Sequence, residues 1–220
     1  MAVVSADLRR GLEVAMGMTL GTIAATWLDV EAARITALGA EDTDIQIPLD
    51  IFGGIADAGT WTKAMSSTGA ATITRTAAAA TEGFWVPVTE AIRTATDRGL
   101  KITGIRACYT VGTADATDVR TELYSLLTPA DNAAIAAATL LDGAAAQDAN
   151  YDAAHNTAAE RGDDTAAPEK HTSNLTLGTP VYAVTGTVYY VKFVVVDPGT
   201  SVVVLRTLTL LCSRRLIDLA

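Results

Sequence analysis

The segment that most restricts the fold is Thr187–Val196, read TVYYVKFVVV. Tyr189, Val191, Phe193 and Val195 alternate with Val188, Tyr190, Val194 and Val196, so the run is nearly apolar on both of its period-two faces. β-branched and aromatic side chains at this density favour a pleated strand. A strand apolar on both sides is central in a sandwich or covered by another chain. Similar runs surround it: Leu175–Leu177, Val181–Val184 and Ser201–Cys212. Gly178-Thr179-Pro180, Gly186 and Asp197-Pro198-Gly199 separate them as turn signals.

The pattern extends upstream. Thr72, Thr74 and Thr76 alternate with Ala71, Ile73 and Arg75, and FWVPV at 84–88 is a compact apolar strand. Ile105, Ala107, Tyr109 and Val111 share one face, and Val119, Thr121 and Leu123 oppose Arg120, Glu122 and Tyr124. Strands spaced by roughly ten residues predict an all-β, jelly-roll-like antiparallel β-sandwich over residues 60–220. Residues 1–59 read as an irregular N-terminal arm with no core of its own. Residues 5–16 permit a short helix there, and Ile45, Ile47 and Leu49 form an edge strand or extended arm, because Pro48 cannot donate to a ladder. Glu90–Arg98 reads equally as a helical turn or a loop. Residues 141–170 carry seven acidic side chains against Arg161 and Lys170, and are expected to cross the surface as a solvated excursion.

Composition excludes several function classes. Apolar residues make up 50% of the 220 and charged ones 19%, which is far from a disordered chain. A net charge of −9 with basic clusters no larger than Arg9-Arg10 and Arg214-Arg215 argues against nucleic acid. The uncharged run Val14–Leu28 is too short and too rich in Gly and Thr to span a bilayer, and Asp7 and Glu13 spoil a signal peptide. No membrane partner and a cytoplasmic origin are expected.

The candidate sites are weak. Cys108 and Cys212 lie in strand-like runs and are expected to be buried free thiols. Asp148-x-Asn150-x-Asp152 opens like a calcium loop, but Ala153 and Ala159 stand where Gly and Glu are needed. His155 and His171 lack a presented nucleophile, and Ser66-Ser67 lacks flanking glycines. Arg161-Gly162-Asp163 spells an adhesion tripeptide and Asn174-Leu175-Thr176 a glycosylation sequon, both short enough to arise by chance. No catalytic, cofactor-binding or metal-binding residue is assigned, no cofactor is expected, and enzyme activity is not expected.

The order of features FWVPV, KITGIRACYTVGTA, VRTELYSLLTPADNAA, YDAAHNTAAERGDD and KHTSNLTLGTPVYAVTGTVYYVKFVVV resembles β-sandwich proteins of tailed bacteriophages and prophages, from Trp61 to Cys212. The resemblance implies an extended strand at 134–140, where propensity alone reads helix. It also implies a virion structural protein, made in the host cytoplasm. The preferred version is a capsid decoration or cement protein, a homo-oligomer with a trimer expected, contacting the major capsid protein or other virion proteins. One alternative is a tail or fibre-associated module that touches the host. Another is a carbohydrate-binding jelly-roll module, which Trp61 and Trp85 disfavour because both read as buried.

Overall fold

A computed structural model describes residues 43–67, 69–88, 100–127, 137–143, 148–165, 169–184 and 186–214. The expected helix at 5–16 and the ambiguous segment 90–98 lie outside these residues. Eleven strands are described: β1 (Thr43–Pro48), β2 (Ile55–Ala56), β3 (Trp61–Met65), β4 (Ala71–Arg75), β5 (Ala79–Pro87), β6 (Leu100–Gly112), β7 (Asp118–Leu127), β8 (Thr139–Asp142), β9 (Glu169–Tyr182), β10 (Thr187–Pro198) and β11 (Val202–Arg214). A single α-helical turn among the described residues, α1 (Ala158–Gly162), is closed by a capping box between Thr157 and Glu160.

The strands form two sheets. One runs β3-β4-β11-β6-β9, with β1 also pairing β11, and the other runs β2-β5-β10-β7-β8. Antiparallel partners nest as β4 with β11, β5 with β10, β6 with β9 and β7 with β8, which is a long hairpin wrapped into a jelly roll. Wrapping adds the pairs β11 with β6 and β10 with β7. The fold is therefore an all-β jelly-roll sandwich.

The core is made by the side chains that face between the sheets. Ile105, Ala107, Tyr109 and Val111 on β6 are buried, as are Tyr189, Val191, Phe193 and Val195 on β10. Each such aliphatic or aromatic group contributes roughly 1.5–3 kcal/mol on leaving water. Arg75 belongs to the same inward series as Ile73 and is completely buried. Its guanidinium meets Glu82 at 2.8 Å, also contacts Asp197, and donates to the Ala78 carbonyl at 2.6 Å. Asp197 begins the predicted turn Asp197-Pro198-Gly199, where its Oδ1 accepts from the amides of Gly199 at 2.9 Å and Thr200 at 3.2 Å.

Four expectations are corrected. The boundary at residue 59 falls inside the sandwich, because β1 pairs β11, the Leu49 amide donates to the Leu208 carbonyl at 2.9 Å, and Leu49 and Ile51 join the core. The described part of the acidic connection, residues 148–165, is packed and anchored: Tyr151 bridges to Leu175, and Tyr151, His155 and Arg161 are buried. Of the strand expected at 134–140, residues 134–136 lie outside the described residues, Ala137 and Ala138 are not in a strand, and β8 starts at Thr139 and runs on to Asp142. Cys212 is buried, its thiol pushed up to about 12 by loss of water, whereas Cys108 is only half-buried and sits 3.6 Å from Thr172 Oγ1.

Candidate functional site

Period two decides which side chains reach the outside of the five-stranded sheet. Phe84 and Val86 on β5 point inward, so Trp85 between them points outward and is half-buried. The sequence expectation that Trp85 is buried is thereby corrected. Trp61, the other tryptophan so read, is half-buried, its ring 5.4 Å from Phe84 and 6.4 Å from Phe193.

Register then brings distant residues together on that outer face. Ile55, Trp85, Lys192 and Glu122 form one cross-strand rank, and Pro87, Tyr190, Tyr124 and Leu140 form the next. Each rank crosses four strands, β2 to β7 or β5 to β8, about 14 Å at the usual inter-strand spacing. The Trp85 ring centroid lies 4.6 Å from Tyr124 and 6.1 Å from Tyr190, so three aromatics from three strands form one cluster. Ile55 and Leu140 stand exposed at its two ends.

Charged groups surround the cluster and hold it in place. Lys192 Nζ pairs with Asp57 at 2.6 Å and lies 5.0 Å from the Trp85 ring centroid. The Trp85 indole N–H donates to Asp57 at 3.2 Å, and the Gly83 amide donates to the other carboxylate oxygen at 2.7 Å. A Cβ at position 83 would stand 2.0 Å from Lys192 Cε and 2.8 Å from Asp57 Oδ2, so the lysine stem fills the space that glycine leaves and would have to move aside for any larger residue. Burial alone would raise the Asp57 carboxyl, but the hydrogen bonds from Lys192, Gly83 and Trp85 hold it below the usual carboxylate range. On the far side the Tyr124 hydroxyl donates to Glu122 at 2.8 Å, and Arg120 pairs with Glu122 at 2.8 Å and Asp118 at 2.9 Å. Burial, then the bond to Glu122, pushes Tyr124 up to about 12, so the hydroxyl keeps its proton at neutral pH.

Asp118 links this face to the connection beneath it. One of its oxygens takes Arg120, and the other takes the Nε of Arg161 at 3.0 Å. Arg161 also donates to the His155 carbonyl at 3.0 Å and to Asp148 at 2.8 Å, and its guanidinium carbon lies 4.4 Å from the Tyr151 ring centroid.

The motifs singled out in the sequence do other things. Asp148 is committed to Arg161, Asn150 lies 3.4 Å from Asp142, and Asp152 accepts from His155 at 2.7 Å and from the Asn174 amide at 2.7 Å, so the three do not converge on one point. Arg161 and Gly162 of the adhesion tripeptide are buried, and a Cβ on Gly162 would strike the Ala116 carbonyl at 2.1 Å. Asn174 of the sequon is held by Arg106 at 2.6 Å. His171 stacks on Tyr109 at 4.8 Å and meets His155 edge-on at 5.4 Å. Ser66 caps a turn, with its Oγ accepting from the Ala70 amide at 3.0 Å. Asp115, Asp163 and Asp164 bring carboxylate oxygens within 4.8 Å of one another on the surface.

Sequence reading missed Asp57 and Lys192 and misplaced Trp85. The usable signal was the phase of the FWVPV alternation, which puts Trp85 opposite Phe84 and Val86.

No family model matches the chain, and no curated protein matches it significantly. Among solved structures it is similar to a family 6 carbohydrate-binding module (11% identity, TM-score 0.31, covering 78% of this chain and 93% of that one). It is also similar to the family 11 carbohydrate-binding module from Clostridium thermocellum (8% identity, TM-score 0.34, 75% and 94% covered). A third likeness is to the K2 cleaved adhesin domain of Lys-gingipain (11% identity, TM-score 0.35, 76% and 99% covered). At these scores the likenesses carry no argument about function, and the fold class rests on the strand pairing described above.

Proposed function

We propose that the sandwich is a noncatalytic binding module that takes up a carbohydrate on the outer face of its five-stranded sheet. The observation that carries this reading is the Trp85–Tyr124–Tyr190 cluster framed by Asp57, Lys192, Glu122 and Arg120. A sugar ring has apolar C–H faces and an edge of hydroxyls. Aromatic rings cover the faces, and positioned carboxylates, ammonium and guanidinium groups bond the edge. Asp57 stays ionised, which suits a hydrogen-bond acceptor and not a proton donor.

The experiment is a glycan array followed by titration calorimetry on the full chain and on Trp85→Ala. Loss of the indole should weaken binding about tenfold or more, the scale of one aromatic side chain leaving water, with the β-sheet circular dichroism unchanged. Equal binding by the folded variant, or no glycan bound at all, would overturn the reading.

The virion assignment rests on sequence resemblance. Combined with this face, it favours the tail or fibre-associated version, in which the module touches host-surface sugar, over the capsid-cement version. A trimer and a capsid-protein partner stand as proposals that the mass of the purified complex and its copurification with particles would test.

A further inference from the structure

We propose that this face selects neutral glycans and excludes acidic ones, a step that rests on the carbohydrate reading above. The argument is how its charges are paired. Among the described residues the cations on the face are Lys192 and Arg120, and each is already closed on carboxylates of the same sheet. Lys192 meets Asp57 at 2.6 Å, and Arg120 meets Glu122 at 2.8 Å and Asp118 at 2.9 Å. A uronate or sialate carboxylate would have to displace one of these partners and would then face Asp57, Glu122 or Asp118 at close range. That exchange gains one ion pair while losing another and adds like-charge repulsion. The chain's overall charge of −9 repels a polyanion as well.

A neutral sugar meets no such penalty. Arg120 carries five N–H groups and uses Nε and Nη1 on its carboxylates, and a carboxylate offers about four acceptor positions. Asp118 and Glu122 are buried, so it is Asp57, whose side chain is 32% exposed, that can accept from a sugar hydroxyl while its ion pair with Lys192 stays closed. The pairs hold the side chains fixed before the ligand arrives, which lowers the ordering cost of binding. The selection comes from pairing, and unpairing one cation should reverse it.

The test is affinity electrophoresis of the full chain in native gels cast with neutral polymers (mixed-linkage β-glucan, xylan, glucomannan) or acidic ones (polygalacturonate, alginate). Wild type should be retarded by at least one neutral polymer and by neither acidic one. Asp57→Asn, which releases Lys192, should gain retardation by polygalacturonate at low salt, with apparent affinity rising about threefold or more as expected for one exposed ion pair. Glu122→Gln, which loosens Arg120, is the second variant and should move the same way. Wild-type retardation by an acidic polymer as strong as by any neutral one would overturn the selectivity while leaving carbohydrate binding intact. Failure of every polymer to retard the wild type would overturn both together.

Discussion

Arg75 and Arg161 are the two arginines that the described sandwich buries almost completely, and the contrast between them separates what holds the fold from what shapes its surface. Arg75 sits between β4, β5 and the β10–β11 turn, with Glu82 and Asp197 both buried beside it. None of its partners reaches the aromatic face. Arg161 comes from α1, and through the shared carboxylate of Asp118 it is linked by three ion pairs and one hydrogen bond to Tyr124, which packs against Trp85. One knot ties strands to each other, while the other ties a connection to the candidate site.

Replacing each arginine by methionine should pull the two roles apart. Arg75→Met leaves two carboxylates buried without their cation and should cost about 3–5 kcal/mol, read as a shift in the denaturant midpoint, with glycan affinity unchanged in whatever fraction still folds. A loss below 1 kcal/mol would mean that the knot is dispensable. Arg161→Met should cost less, about 2–3 kcal/mol, because Asp118 keeps Arg120. Its distinguishing sign is in binding: affinity should fall several-fold as Arg120 and Glu122 lose their fixed position. Unchanged affinity would say that the loop and the face are independent.

The smallest effect is set by pH. Desolvation would raise the Asp197 carboxyl, but Arg75 and the amides of Gly199, Ser201 and Thr200 bring it down to about 2. The ordinary unfolded value is about 3.9. A depressed native value means stability that is fully present above about pH 4 and lost as pH falls through about 2, about 2.5 kcal/mol in all. Denaturant midpoints of wild type across that window should slope downward, and those of Asp197→Asn should slope less steeply. Parallel curves would remove Asp197 from the stabilising knot.

The frame of the molecule was readable because alternation is a local signal. Ile105 to Val111 and Val119 to Leu123 declare their inward faces within a few residues, and Asp197-Pro198-Gly199 announces its turn. Thr187–Val196 declared only half of its surroundings. Tyr189, Val191, Phe193 and Val195 are in the core as expected, but Tyr190 and Lys192 are half-buried on the outer face, which no described strand covers. An apolar run cannot say whether its second side meets another sheet, another chain or a ligand.

The candidate site was harder to read because its members come from β2, β5, β7 and β10 and meet only through strand order. Asp57 has no motif, and its value comes from lying beside Gly83 and Lys192, which are remote in the chain. Arg161 illustrates the same limit in reverse. Its neighbours Gly162 and Asp163 suggest an exposed adhesive signal, whereas its buried guanidinium is an internal anchor.

Gly83 leaves a notch in which the lysine stem lies, tucked alongside its aspartate. A methyl group in that notch would evict the stem and set the ammonium loose above the sheet. The electrical character that an arriving molecule meets is thus governed by an absent carbon atom. A lineage drawn to acidic surfaces would need no new basic residue, only a filled gap.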